Sequence, residues 1–377
     1  MKDTLICTTG TSLIEGNLKR LGQDNFSNPP NWEALRDALQ KENWRVLARE
    51  LVQNNPSERV CGAEINTIEQ ARNRSLHHLR RLFFLVSDTD LGRNTGTLLK
   101  YYFEARRDLN LQEVDVKVVE GLQDTDTVRF RTLGLRNLIR SIGDIIGKHG
   151  RESVAIDATG GYKAQIAFAV LIGQAIDIPV FYKHERFAEI IDFPPMPISL
   201  DYDILGRNAD LFSQLEKGLT LESHTPSPFE DKIRIFLTEV SDGQRSLFEL
   251  NPIGQLYLTS YRLRYPKALN LRPLPDSERE SPHFPPHHMA NGLQAYVTRV
   301  WTENQWIRSC MTIEYGHVRD IKGKKAFYVK HTESETFVVG TYLDQALHPG
   351  QFRIYLSDES RESQNWAANH LNERYGD

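Results

Sequence analysis

The stretch SVAIDATGGYKAQIAFAVLIGQA, residues 153–175, decides the fold class. Ser153–Asp157 is a short apolar run. Small and hydroxylated residues follow, Ala158-Thr159-Gly160-Gly161, and then an Ala-rich segment, Tyr162–Ala175, with the length of a helix. A strand, a glycine turn and a helix form one step of a parallel sheet with crossover helices. The turn also suits an anion. Glycine lets backbone N–H groups approach a ligand, the start of the helix adds positive potential, and Lys163 adds a full charge.

The same alternation extends in both directions. Upstream, Thr4–Thr8, Leu82–Val86 and Val114–Val119 read as strands. Leu82–Val86 (LFFLV) has the unbroken apolar character of a strand covered on both faces. Between these strands, 32–52, 98–107 and 128–146 carry apolar residues at helical spacing. Downstream, Ile178–Tyr182 and Glu189–Phe193 close the series. The expected class is α/β, with a mostly parallel, Rossmann-like sheet and helices on both faces. The run Phe193-Pro194-Pro195-Met196-Pro197 ends it, because a sheet core cannot absorb so many missing donors.

Three loops at the ends of these strands share the same chemistry. They are Thr8-Thr9-Gly10-Thr11-Ser12, Ser87-Asp88-Thr89-Asp90 and Asp157-Ala158-Thr159-Gly160-Gly161-Tyr162-Lys163. One such loop is ordinary in any sheet of this class. Three together point to a polar, phosphate-bearing ligand at the carboxyl ends of the strands. Neither GxGxxG nor GxxxxGK[ST] is present, so a dinucleotide fingerprint and a Walker A loop are excluded.

These three motifs resemble those of the CRISPR-associated Rossmann-fold sensor domain (CARF), over about residues 1–200. The resemblance implies a homodimer that binds cyclic oligoadenylate, most commonly cyclic tetra-adenylate. It implies ligand contacts from Thr9, Gly10, Thr11, Ser12, Ser87, Asp88, Thr89, Thr159, Gly160, Gly161, Tyr162 and Lys163. A sensor that also degrades its own ligand remains compatible with it.

The rest of the chain reads differently. Its 377 residues suit two to three domains at roughly 100–200 residues each. Within 204–275, Pro228–Thr238 has helical spacing. Leu247–Leu250 then leads through Asn251-Pro252 into another helical stretch, a pattern seen in winged helix-turn-helix connectors. Arg262, Arg264, Lys267 and Arg272 follow. Residues 276–288 are a linker rich in Pro, His and Ser. Its histidines, His283, His287 and His288, lack a fourth ligand at metal spacing. Residues 289–377 read as a small α+β unit. Met289–Trp306 is helical, Ala326–Lys330 and Thr336–Thr341 form a hairpin around Thr332-Glu333-Ser334-Glu335, and Gln351–Leu356 is a last strand.

The net charge of −4, from 46 Lys and Arg against 50 Asp and Glu, excludes a generally basic nucleic-acid binder. Local patches differ. HVRDIKGKKAFYVKH, residues 317–331, holds five cations against one acid, Asp320. Such a strand suits a polyanion, though lysines also protect a solvated sheet edge. The order helix, basic strand, hairpin, Arg-bearing strand resembles the RelE family of mRNA interferases. The matching residues are Lys322-Gly323-Lys324-Lys325-Ala326-Phe327-Tyr328, Phe337–Thr341, Arg353 and Tyr355.

That resemblance implies metal-independent cleavage of mRNA in the ribosomal A site by attack of the 2′-hydroxyl on the adjacent phosphate. Lys325 takes a family arginine position and Arg353 binds the scissile phosphate. Lys322, Lys324, His331 and Tyr355 assist, and Arg319, Lys330, Arg262 and Arg264 hold RNA. The segment 344–350 is longer than the family's usual turn. Together the three parts resemble type III CRISPR-associated mRNA interferases, with partners in the ribosome and mRNA.

Arg72-Asn73-Arg74-Ser75-Leu76-His77 satisfies the spacing of HEPN ribonucleases but sits inside the first domain, without the helical bundle such a site needs. Cys7, Cys61 and Cys310 form no CxxC pair, and Cys7 reads as a buried small hydrophobe. No signal segment or membrane-length apolar run is present, so a cytoplasmic protein is expected. The rival reading is a ligand-controlled transcription regulator that binds duplex DNA through Arg262 and Arg264.

Overall fold

The computed structural model describes residues 2–184, 187, 189–198, 200–217, 221–223, 231–241, 246–267, 270–285, 289–314 and 325–377. They fall into two units. One contains residues 1–199 with 255–263, and the other 200–254 with 264–377.

The first unit holds six strands: β1 (Thr4–Thr8), β2 (Arg81–Ser87), β3 (Glu113–Val119), β4 (Val154–Asp157), β5 (Val180–Tyr182) and β6 (Ile191–Phe193). Their order is β3-β2-β1-β4-β5-β6. β1 to β5 pair in parallel and β6 runs antiparallel to β5. The chain moves outward from β1 to β3, then returns to the other side of β1 for β4. The point between β1 and β4 is where a doubly wound sheet opens a ligand crevice.

Its helices are α1 (Trp32–Gln40), α2 (Trp44–Val52), α3 (Gly62–Arg74), α4 (Asp90–Ala105), α5 (Thr127–Arg129), α6 (Leu135–His149) and α7 (Lys163–Ala175). Leu5, Cys7, Leu82, Phe84 and Val86 pack into one core with residues of α1 to α4. Phe83 points to the opposite face, where its ring meets His149 of α6 at 5.3 Å. Both faces of β2 are covered, which accounts for its unbroken apolar run.

The helix expected over 32–52 is two helices. Glu42 takes a left-handed φ of 48°, and Asn43 then caps α2 by accepting a bond from the Val46 N–H at 3.2 Å. The helix expected from 98 begins at Asp90, because Thr89 accepts from the Gly92 N–H at 3.0 Å and caps α4. The helix α3 has no clear signature in the sequence. Its buried positions include Glu64, Thr67 and Glu69, so its apolar periodicity is broken.

The second unit contains two antiparallel sheets. One has the order β7-β9-β8, from β7 (Leu221–Ser223), β8 (Leu237–Ser241) and β9 (Ser246–Leu250). The helix expected over 228–238 is confined, among the described residues, to α10 (Asp231–Arg234), because Leu237 and Thr238 already pair in β8. Before it come α8 (Asp203–Arg207) and α9 (Ala209–Glu216). The helix α11 (Pro252–Arg264) follows β9. Its residues 255–263 group with the first unit, where Arg140 of α6 donates to Gln255 Oε1 at 2.9 Å.

The larger sheet has the order β10-β13-β12-β11, from β10 (Ile307–Ile313), β11 (Lys325–His331), β12 (Thr336–Leu343) and β13 (Pro349–Leu356). The helices α12 (Leu293–Glu303) and α13 (Arg361–Tyr375) cover one face, burying Phe327, Val338, Phe352, Ile354 and Leu356. The hairpin joins β11 to β12 as expected, with Lys330 opposite Phe337. Residues 344–348 form a closed loop, in which Asp344 Oδ1 accepts from the Ala346 and His348 N–H groups at 2.9 and 2.8 Å. The edge of β11 is capped by a side chain. Asn372 of α13 accepts from the Phe327 N–H at 2.9 Å and donates to the Phe327 carbonyl.

Candidate functional site

A cavity of about 600 Å³ opens at the carboxyl ends of β1, β2, β4 and β5. This is a ligand-sized volume on a scale of roughly 300–1,000 Å³. Thr9, Gly10, Thr11, Ser12, Ser87, Thr159, Gly160, Gly161 and Tyr162 line it, joined by Glu15, Glu64, Asp124, Tyr182, Lys183 and His184.

The loops after β1 and β4 meet backbone to backbone. A Cβ on Gly160 would lie 2.6 Å from the Gly10 nitrogen and 2.3 Å from Glu64 Oε1. Gly161 holds φ at +99°, which favours glycine. Thr8 Oγ1 donates to the Gly160 carbonyl at 2.7 Å and ties the turn to β1. The result is a concave row of amides. Among the described residues, the N–H groups of Thr11, Ser12, Gly160 and Gly161 have no protein acceptor. Such a row binds anions.

The helix α3 holds the loops in register. Glu64 Oε1 accepts from the Gly10 N–H at 3.0 Å. Three residues on, Thr67 Oγ1 meets Thr159 Oγ1 at 3.2 Å, and Thr159 Oγ1 accepts from the Lys183 N–H at 3.0 Å. One helix face thus joins the loops after β1, β4 and β5. Beneath them Asp157 is fully buried, with Oδ1 accepting from the Thr159 N–H at 3.1 Å. Burial pushes its carboxyl up to about 8, and the nearby Glu64 adds to the rise.

The expected ligand residues divide into two groups. The glycine loops and Ser87 line the cavity, but the Gly10 N–H is already engaged by Glu64. Asp88 accepts from the Gly121 N–H at 3.1 Å and pairs with Arg93 at 2.6 Å, while Thr89 caps α4. Neither lines the cavity. Lys163 opens α7 with its side chain exposed, outside the lining. Among the described residues, the lysine in the lining is Lys183, which is buried and whose amine is pulled below its ordinary value by desolvation. Its position, one residue past β5, is the signal that marks it.

In the second unit the sheet separates the expected catalytic residues. Lys325 lies on the helix-covered face, 3.4 Å from Asp377 and 5.9 Å from the Tyr296 ring centre. His331 shares that face by alternation, and burial lowers its imidazole below the ordinary value, with Arg207, Asp203 and Arg361 acting on it. Arg353 lies on the other face, in register with Val339 and Met311. Lys325 and Arg353 therefore do not share a site.

Arg353 is tightly held. Its Nη1 and Nη2 donate to the two Glu335 oxygens at 2.7 and 2.8 Å. Its guanidinium carbon stands 4.3 Å from the Phe337 ring centre and 4.5 Å from that of Tyr355. Lys330, opposite Phe337, belongs to the same face. Lys322, Lys324 and Arg319 lie outside the described residues, as do His287 and His288. Arg262 and Arg264 sit in the last turn of α11.

The first unit is thus a doubly wound α/β domain with an anion-suited cavity at its switch point. Residues 59–196 match the family model of a CRISPR-associated protein (Cas_APE2256). That span begins just before α3 and runs past β6. Among solved structures, a similar chain is Can2 from Sulfobacillus thermosulfidooxidans in complex with cyclic tetra-adenylate. The TM-score is 0.26 at 9% identity, covering 90% of this chain and 74% of that one. No curated protein matches the chain.

Proposed function

We propose that the chain is a CRISPR-associated effector whose first unit senses cyclic oligoadenylate and whose second unit cuts RNA. The observation that carries the sensing role is the row of unengaged amides at Thr11, Ser12, Gly160 and Gly161 around a polar cavity. Phosphodiesters of the ligand accept from those amides, and Lys183 supplies the charge. Bases lie against the remaining lining, where Glu15, Glu64 and Asp124 accept from amino groups. The family match over 59–196 and the three loop motifs support this ligand class. Cyclic tetra-adenylate is the form favoured, bound across a homodimer.

The output is a RelE-like ribonuclease acting on mRNA at the ribosome. The 2′-oxygen attacks the neighbouring phosphorus and the 5′-oxygen leaves, taking a proton and giving a 2′,3′-cyclic phosphate and a 5′-hydroxyl. Arg353 neutralises charge on the phosphorane, and Tyr355 and Lys330 stand on its face. Because Lys325 lies on the opposite face, this reading gives Arg353 the central role. Purified protein, programmed ribosomes and cyclic tetra-adenylate should yield truncated mRNA, and Arg353→Ala should abolish it. Intact mRNA with each of cyclic tri-, tetra- and hexa-adenylate would remove the ribonuclease assignment. Retarded duplex DNA in its place would favour a transcription regulator.

A further inference from the structure

The setting of Arg353 has a peculiarity. Glu335 grips the guanidinium end-on, through Nη1 and Nη2 only. The Nε is buried and, among the described residues, has no hydrogen-bond partner. A planar carboxylate on the two terminal nitrogens leaves that third donor unused, which is a cost for a buried group. A tetrahedral phosphate has oxygens enough to reach Nε as well as an Nη. The Phe337 and Tyr355 rings stand 4.3 and 4.5 Å from the guanidinium carbon and, with the Glu335 pair, hold the arginine against the sheet, so an anion comes to it.

Glu335 sits at an exposed end of the sheet. It closes the hairpin turn, where its backbone N–H donates to Thr332 Oγ1 at 3.1 Å. Its side chain is about half exposed. Arg353 holds its carboxyl below the ordinary glutamate value, so it stays charged near neutral pH and competes as an anion. We propose that Glu335 is an internal stand-in for phosphate, which RNA must displace from Arg353 before that arginine can serve. This rests on the reading of the Arg353 face as an RNA site. Glu335 sets a threshold for RNA binding there, in the same unit that carries the arginine.

The test is fluorescence anisotropy of the full chain with a short, fluorescein-labelled single-stranded RNA carrying 2′-O-methyl groups, which blocks cleavage. Glu335→Gln should bind about fivefold more tightly than wild type, the scale of one well-formed exposed ion pair. Arg353→Ala should bind more weakly, and Glu335→Gln combined with Arg353→Ala should match Arg353→Ala alone. Glu335→Ala should repeat the Glu335→Gln result and replaces it if that variant does not fold. If Glu335→Gln binds no better than wild type while Arg353→Ala binds worse, the stand-in role is lost and the RNA site survives. If Arg353→Ala binds as wild type, or no variant binds, both readings fall.

Discussion

A single carboxyl shows what the cavity demands of its floor. Asp157 ends β4 fully buried, and its Oδ1 orders the Thr159 turn. With its folded value near 8 and an ordinary value of 3.8, it carries a proton that the unfolded chain has lost over most of that range. Folding therefore binds an extra proton, and stability falls as pH rises from about 4 to about 8. Asp157→Asn keeps the acceptor without the charge. It should raise the melting temperature at pH 8 and change it little at pH 5, as read by thermal unfolding at the two values. An equal effect at both would contradict the assigned cause.

Gly160→Ala tests the loop contact. Its Cβ would meet the Gly10 nitrogen at 2.6 Å, a backbone atom that cannot swing aside. Calorimetry should show cyclic tetra-adenylate binding weakened at least about tenfold, with the sheet intact by circular dichroism. Retained affinity would mean that the two loops can separate without consequence for the ligand.

Among the elements, β1, β2 and β4 are plain in the sequence because they are short, mostly apolar runs buried on both faces, and each ends in a glycine or hydroxyl loop. The loop residues Thr9–Ser12, Ser87 and Thr159–Tyr162 were legible for the same reason, since a parallel sheet delivers the ends of its strands to one rim. Glu64 and Thr67 were not, because they arrive from α3, more than fifty residues from the Gly10 loop that Glu64 holds. Lys163 stands out in the sequence for its charge, yet in the first turn of α7 its side chain is exposed. The strand β10 was missed because its alternating side chains are partly exposed along an edge.

The helix α13 was missed because its buried side carries Ser363, Gln364, Asn365 and Asn372 as well as apolar residues. Those polar groups have structural work. Asn372 replaces a missing strand at the edge of β11 by satisfying both Phe327 backbone groups. Asn372→Ala should lower stability by about 1–3 kcal/mol in urea unfolding, because it strands a buried amide. Asn372→Ala with wild-type stability would show that the edge finds other partners.

For the whole molecule, the two units have separate chemistries: amides and the buried Lys183 in the first, an arginine packed beside two aromatic rings in the second. The near-neutral total charge hid both, since acids and bases occur in each unit. No helix among the described residues is long and apolar enough to cross a membrane. Coupling of the units should show as RNA cleavage that requires cyclic oligoadenylate and is lost with Gly160→Ala. Cleavage at full rate without ligand would separate the cavity from the output.

The most direct measurement is ligand binding to the intact chain. Cyclic tri-, tetra- and hexa-adenylate should be compared by thermal shift on wild type and on Gly160→Ala. The expected result is a rise in melting temperature with cyclic tetra-adenylate that is absent in the variant. No shift of the wild-type protein with any of the three rings would contradict the sensing role.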